Sequence, residues 1–490
     1  MGEGVPKSDW MAAAYFVLIL GAFLALIEWT AGKLVWPGEF TRKLVHVLTG
    51  FSVVAAMLLI PSWQPLFWIG VLFVLINSLS LWRGTFGVYS QSERRSLGTV
   101  FYPFSFALLM LVLRDAQRPL AILAFSFMAF ADALAAFVGQ KAPAHEKITL
   151  PGDAKSVRGS LAMFAGSFFI ALIGNSIFEL EWSVHPWVAA TFIALVATAA
   201  EALSYRGSDN LTVPLLSALA LYLANQNQFY LGEALALGVV VAAYAFRVLD
   251  PGGAIAAFLV GTIVFGIGGW AYSIPLLLFF VLSSLLSKIP GRSRQIQNSI
   301  AKGSPRRDAK QVLANGLLPA VLTIVSIFYH ENVIFFLYLS ALAAVTADTW
   351  ATEIGLTFSS TPRSIVSGRP VAPGTSGGIS MAGTAGALLG ALVIALSGWY
   401  AKSGLKEAVS WSVILAVSGS GMIAHLVDSL LGATVQRRNQ CPRCGVITER
   451  DMHCRKATHH IAGWRWLDND AVNLCCGTSG VLIFLLLTWT

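Results

Sequence analysis

The chain has 490 residues, of which 56% are hydrophobic and 12% charged, and its formal net charge is +8. Apolar stretches of about 17 to 22 residues recur along its length, each able to cross about 30 Å of hydrocarbon as a helix. That composition excludes an ordinary soluble enzyme. No GxxxxGK[ST] or protein-kinase signature occurs, so the familiar soluble nucleotide-binding folds are not implied, and no nucleic-acid partner is expected.

About sixteen spans are expected by this criterion. They begin near Trp10, Leu44, Pro65, Thr99, Pro119, Gly159, Trp187 and Leu211, then near Gly232, Gly252, Ala271, Val312, Val333, Met381, Trp411 and Val472. The first is too long, and too poor in preceding positive charge, for a cleaved signal peptide. When loops are assigned to alternate sides, all but Lys7, Arg114, Arg118, Lys402 and Lys406 of the 33 Lys and Arg fall on one side. The positive-inside rule makes that side cytoplasmic and places both termini outside. The net positive charge thus has a topological reading, beside a role in attracting anions.

The chain repeats itself. Asp132-Ala-Leu-Ala135 precedes Gly139 by the same spacing as Asp348-Thr-Trp-Ala351 precedes Gly355. Gly159-Ser160 with Met163 answers Gly377-Gly378 with Met381, Asp209-Asn210 answers Asp468-Asn469, and Arg94-Arg95 answers Arg306-Arg307. The expected fold is therefore an all-α polytopic bundle of two parallel eight-helix repeats, residues 1–228 and 229–490. Equivalent loops then share one side of the membrane, the cytoplasmic one.

Asp132, Glu201, Asp348, Glu353 and Asp428 lie in or at the end of apolar helices, where a charge costs at least about 2.5 kcal/mol, so each is a functional candidate. The loop from Lys147 to Ser160 sets Lys155, Ser156 and Arg158 before Gly159 at a helix start. There, backbone amides, a glycine that permits close approach and two cations suit a phosphate. The second half has Arg369, then Gly374-Thr375-Ser376-Gly377-Gly378, richer in glycine and hydroxyl and poorer in charge. Carboxylates beside a phosphate loop are what Mg²⁺ bridging nucleotide phosphates requires.

Arg42-Lys43-Leu-Val-His46, the Asp132 motif, Lys155-Ser-Val-Arg-Gly-Ser160 and Asp209-Asn-Leu-Thr-Val-Pro214 together resemble the phytol kinase and dolichol kinase family. That resemblance implies phosphorylation of a polyprenol alcohol, typically from CTP. It also implies nucleotide binding by Lys155, Ser156, Arg158, Gly159 and Ser160, and metal or catalytic roles for Asp132 and Asp209; Asn210 is a further candidate, and His46 has two open readings, binding phosphate or capping the membrane edge. Arg307-Asp308, Gln311 to Gly316 with Asn315, Ala347 to Glu353, Gly374 to Gly378, and Leu467-Asp468-Asn469-Asp470-Ala-Val-Asn473 resemble the phytyl-phosphate kinase family of transmembrane proteins. The implied product there is a prenyl diphosphate, with Asp348 and Asp468 in the catalytic roles and Asp470 as a further metal ligand. Two rival readings stay open: CTP-dependent cytidylyl transfer to a lipid phosphate, and ion-coupled transport.

The last cytoplasmic loop, 433–472, departs from the repeat. It holds Cys441-Pro-Arg-Cys444-Gly, then His453-Cys454 and His459-His460. A CPxCG knuckle suits structural zinc, completed by Cys454 and by His459 or His453. Cys475 and Cys476 read as packing residues.

Overall fold

The computed structural model describes residues 5–34, 36, 38–83, 97–143, 146–149, 154–289, 306–358, 361–404, 410–448 and 451–489. The chain divides into two compact units, Met1–Tyr230 and Leu231–Thr490.

The first unit contains α1 (Lys7–Leu34), α2 (Gly38–Leu59), α3 (Trp63–Arg83), α4 (Gly98–Leu113), α5 (Arg118–Gln140), α6 (Val157–Phe178), α7 (Pro186–Ala202) and α8 (Asp209–Leu223). Helix α9 (Asn227–Ala245) carries the division between units. The first half of helix α5 is deeply buried, with Leu123, Phe125, Phe127 and Met128 in the core, while α1 leaves Leu18, Ile19 and Leu26 exposed, a face suited to lipid. One π-helical turn, Phe127–Ala131, interrupts α5 just before Asp132. Such a turn rotates the succeeding residues about the helix axis and recurs at functional sites. Arg118, one of the basic exceptions to the loop sorting, donates to the carbonyls of Met57, Ile60 and Pro61 and so satisfies the C-terminal end of α2.

The second unit continues with α10 (Pro251–Leu286), α11 (Ala309–Val325), α12 (Asn332–Phe358), α13 (Met381–Gly404), α14 (Trp411–Thr434) and α15 (Asn469–Leu487). At 36 residues α10 would run about 54 Å as one helix, far more than a bilayer core. It breaks at Gly269, whose φ of 57° is a backbone state that side chains with a Cβ resist. Helix α12 packs against α11, α13, α14 and α15. The Cys476 Sγ of α15 lies 3.6 Å from the carbonyls of Ala344 on α12 and Ala424 on α14, so this thiol is a packing residue joining three helices.

Two features bear on the sequence expectation. Among the described residues ten helices are long and apolar enough to cross a membrane, and five further apolar helices have 10–17 residues. The fold is also not purely helical, because polar loops between helices fold into short antiparallel strands. These are β1 (Lys147–Thr149) with β2 (Ala154–Ser156), and β3 (Arg363–Ser364) with β4 (Gly378–Ile379). The loop before α15 adds a sheet of β6 (Ile447–Thr448), β5 (Arg438–Gln440) and β9 (His459–Ala462), and a hairpin of β7 (Met452–His453) and β8 (Lys456–Ala457). Their backbone groups pair locally instead of entering a span.

Candidate active sites and the comparisons that bear on them

In the first unit the site is built around Lys155, the middle residue of β2. Its ammonium is paired with Glu201 in the last turn of α7, with side chains 19% and 9% exposed. Burial would lower the Lys155 pKa, but the carboxylates of Glu201, then Asp209 and Asp132, outweigh it, so the net shift is upward. Four residues foreseen from sequence, on three helices and a strand, therefore share one electrostatic neighbourhood. Three carboxylates against one ammonium, when all are ionised, leave negative charge uncompensated, and hard oxygen donors of that kind fit Mg²⁺.

His46 reaches the same place from α2. Its Nε2 is 3.6 Å from the Asp132 carboxylate and 3.2 Å from the Met128 carbonyl, inside the π-helical turn. Ser156 caps α6, its hydroxyl accepting from the Gly159 amide at 3.0 Å. A Cβ on Gly159 would meet Ser156 Oγ at 2.9 Å, the Ala135 carbonyl at 3.1 Å and Gly139 Cα at 3.3 Å. The Lys155 loop is thus pressed against the end of α5, one helical segment beyond Asp132. Arg158 is more than half exposed and pairs with Glu146 at 2.7 Å. Ser160 sits in the first turn of α6. Asp209 opens α8 and accepts from the Asn210 amide at 3.0 Å, while the Asn210 backbone carbonyl accepts from the Ser105 hydroxyl. The Arg42 side chain and the Arg94-Arg95 pair lie outside the described residues.

The second unit uses the same local device. The Ser380 hydroxyl accepts from the Gly383 amide at 3.1 Å, and a Cβ on Gly355 would meet Ser380 Oγ at 3.3 Å and Gly383 Cα at 3.6 Å. The equivalent of Ser156 and Gly159 is therefore Ser380 and Gly383, which corrects the sequence register that matched Gly159 with Gly377. Gly374, Thr375, Ser376 and Gly377 form a separate turn. There the Thr375 hydroxyl donates to Ala372, and Gly377 packs on Ala433 at the end of α14. Arg369 is exposed, and its carbonyl accepts from the Ser364 amide at 2.9 Å, so its backbone ties this turn to β3 while its side chain stays in the open.

Asp348 on α12 is 3.3 Å from Nδ1 of His425 on α14, a buried imidazole that the sequence reading missed. Each unit consequently has a histidine beside its helix-borne aspartate. Glu353 lies further along α12, and its carbonyl accepts from Thr357. Asp468, expected as a catalytic acid, is the N-cap of α15, accepting from the Ala471 amide at 3.1 Å and lying 3.9 Å from Arg437. One oxygen is thereby committed to the helix end. Asn469, Asp470 and Asn473 occupy the first turns of α15, with Asp470 in electrostatic reach of Asp468, Asp308 and Lys310.

A groove in the second unit is lined by apolar side chains including Val240 of α9 and Phe265 and Phe279 of α10, with Arg307, Gln311 and Asn315 supplying polar groups. The Arg307 guanidinium sits over the Phe280 ring at 5.8 Å, and burial lowers its pKa. Among the described residues it has no carboxylate partner.

The long loop before α15 brings Cys441, Cys444, His453 and Cys454 together, their ligand atoms within 4.8 Å of one another. His459 is not in that cluster: it stands in β9 opposite Gln440.

Apolar helices of spanning length, polar hairpins at their ends and buried or half-buried acids within electrostatic reach of a lysine define an integral membrane protein with polar sites set into its helical units. The chain belongs to the family described as integral membrane protein DUF92, whose family model matches residues 234–481. An uncharacterized membrane protein of Methanocaldococcus jannaschii is 34% identical over 192 residues, 39% of this chain and 76% of that protein. Protein PGR of Arabidopsis thaliana is 30% identical over 270 residues, 50% of this chain and 92% of PGR. The phytol kinase of Synechocystis is 34% identical over 212 residues, 43% of this chain and 90% of that enzyme. No solved structure matches the chain.

Proposed function

We propose that the protein is a kinase of isoprenoid alcohols with two successive activities. The first unit transfers the terminal phosphoryl group of a nucleoside triphosphate, CTP by resemblance, to an isoprenoid alcohol, and the second adds another phosphate to make the diphosphate. The observation that carries this reading is the convergence of Asp132, Glu201 and Asp209 on Lys155 beside the capped start of α6, together with the likeness to a phytol kinase. The recurrence of the Ser-Gly device and of an Asp–His pair supports reading the second unit as a related repeat. In that reading α10 counts as two spans.

Phosphoryl transfer asks a protein mainly for positioning and charge neutralisation. Lys155 and the α6 amides hold the triphosphate. Asp132 and Asp209 provide oxygens for Mg²⁺, which neutralises phosphate charge when bound. The alcohol gives its proton to a site carboxylate as its oxygen forms the new bond to phosphorus, and the nucleoside diphosphate departs. In the second unit Arg307 faces the phosphate of the incoming monophosphate, and the apolar groove accepts its chain. That acceptor already carries a low-pKa oxygen and needs a base less. Substrate enters from the bilayer and the nucleotide from the cytoplasm.

The test is product analysis with purified protein, CTP or ATP, and phytol, geranylgeraniol or a longer polyprenol. Release of nucleoside diphosphate with isoprenyl phosphate supports the assignment. Release of pyrophosphate with a nucleotidylated lipid would replace it with cytidylyl transfer.

A further inference from the structure

Among the described residues the segment between α14 and α15 buries few apolar side chains, Leu467 and Cys441 among them. Ile447, Met452, Ile461, Trp464 and Trp466 are all exposed, yet the segment folds into a three-stranded sheet and a separate hairpin. The Cys–His cluster lies where those two pieces meet. Cys441 comes directly after β5, Cys444 stands in the turn before β6, His453 ends β7 and Cys454 begins the turn to β8. The φ values of 52° at Cys454 and 60° at Arg455 are left-handed. Neighbouring strand residues face opposite ways, and this turn lets both His453 and Cys454 address one point.

Two separations within the cluster match the edges of a metal polyhedron. Cys444 Sγ is 3.8 Å from Cys454 Sγ and 3.4 Å from His453 Nδ1. A tetrahedral zinc ion bonded to sulfur at about 2.3 Å and to nitrogen at about 2.0 Å has sulfur–sulfur edges of about 3.8 Å and sulfur–nitrogen edges of about 3.5 Å. The sulfurs are far beyond the disulfide bond length of about 2.05 Å, and all five cysteines are free.

We propose that Cys441, Cys444, His453 and Cys454 bind one Zn²⁺ in a closed structural site. Three thiolates and an imidazole favour zinc over the hard cations, and four protein ligands leave no open position for catalysis. The ion joins the hairpin to the sheet, and the sheet joins two helices. Arg438 next to the knuckle donates to the Gly432 and Ala433 carbonyls at the end of α14, while Arg437 reaches Asp451 and Asp468 at the start of α15. Zinc thereby supplies the folding energy the segment lacks. The site stands whether or not the protein transfers phosphate.

The experiment is metal analysis of the full chain purified in detergent without chelator, repeated after incubation with Zn²⁺ and removal of excess. About one zinc per chain is expected for the wild type and less than about a tenth of that for Cys444→Ser and His453→Ala, with His459→Ala and Cys475→Ser unchanged. Cobalt replacement in the wild type gives a reading independent of how the variants fold: tetrahedral ligand-field bands and thiolate-to-cobalt charge transfer are expected. Zinc below about 0.2 per chain even after reloading, iron in its place, or cobalt spectra without thiolate bands would overturn the site. Retention by Cys444→Ser, or loss in His459→Ala, would overturn this ligand set.

Discussion

The Lys155–Glu201 pair offers a quantitative test of the first site. Both side chains are largely shielded from water, so their attraction is only partly screened. A hydrogen bond from a charged donor contributes about 1.5–3 kcal/mol, so Lys155→Met should lower kcat/KM for the triphosphate about 10- to 150-fold. Glu201→Gln keeps an acceptor but removes the charge that holds the ammonium in place. Asp209 and Asp132 still act on Lys155, so a smaller loss of about 1–2 kcal/mol, or 5- to 30-fold, is expected. With Asp132 and Asp209 assigned to the metal and Glu201 to holding Lys155, the double variant should fall within about threefold of Lys155→Met alone. The assay tracks isoprenyl monophosphate formation as nucleotide concentration is varied, with conversion of added monophosphate as the internal control. Losses that multiply in the double variant, or a Lys155→Met protein within about twofold of wild type, would refute the argument that this pair forms the nucleotide site.

Gly159→Ala should destabilise the first unit by about 1–3 kcal/mol, read as a lower Tm in detergent, because its Cβ meets the capping hydroxyl and a backbone carbonyl that cannot both withdraw. Arg307→Gln should raise KM for an isoprenyl monophosphate about tenfold or more and leave the first step unchanged; an unaltered KM would remove Arg307 from the acceptor site. The Lys155 charge should persist through any practical alkaline range. Its folded pKa is raised, so its contribution is complete below the ordinary lysine value and disappears only as pH climbs through the raised one. A pH profile of the first step with an alkaline limb below about pH 10 that vanished in Lys155→Met would contradict this.

The spacing of Asp132 to Gly139 and of Asp348 to Gly355 made the paired helices legible, because a charged residue in an apolar span is costly and its recurrence carries information. Lys155, Glu201 and Asp209 were legible as candidates, but their convergence was not: they stand on different elements, and only tertiary packing joins them. His425 gave no local signal, since its partner Asp348 lies 77 residues away and a histidine on an apolar helix reads as ordinary packing. The glycines at Gly377 and Gly378 drew the second-half register away from Ser380 and Gly383, because a run of glycines looks more like a phosphate turn than a single capped one does. His459 and His453 were indistinguishable in sequence. The hairpin turn at Cys454 and the pairing of β9 with β5 separate them, and neither leaves a mark in ligand spacing.

The central claim is that each unit carries its own phosphotransfer site, and the direct measurement uses Asp132→Asn and Asp348→Asn proteins in one assay. Each purified variant is given labelled isoprenoid alcohol or labelled isoprenyl monophosphate with the nucleotide, and both products are counted. Two separate sites predict that Asp132→Asn stops phosphorylation of the alcohol and still converts added monophosphate to diphosphate, and that Asp348→Asn makes monophosphate and accumulates it. If either substitution alone abolished both steps, the protein would have one composite site and the assignment of a step to each unit would be wrong.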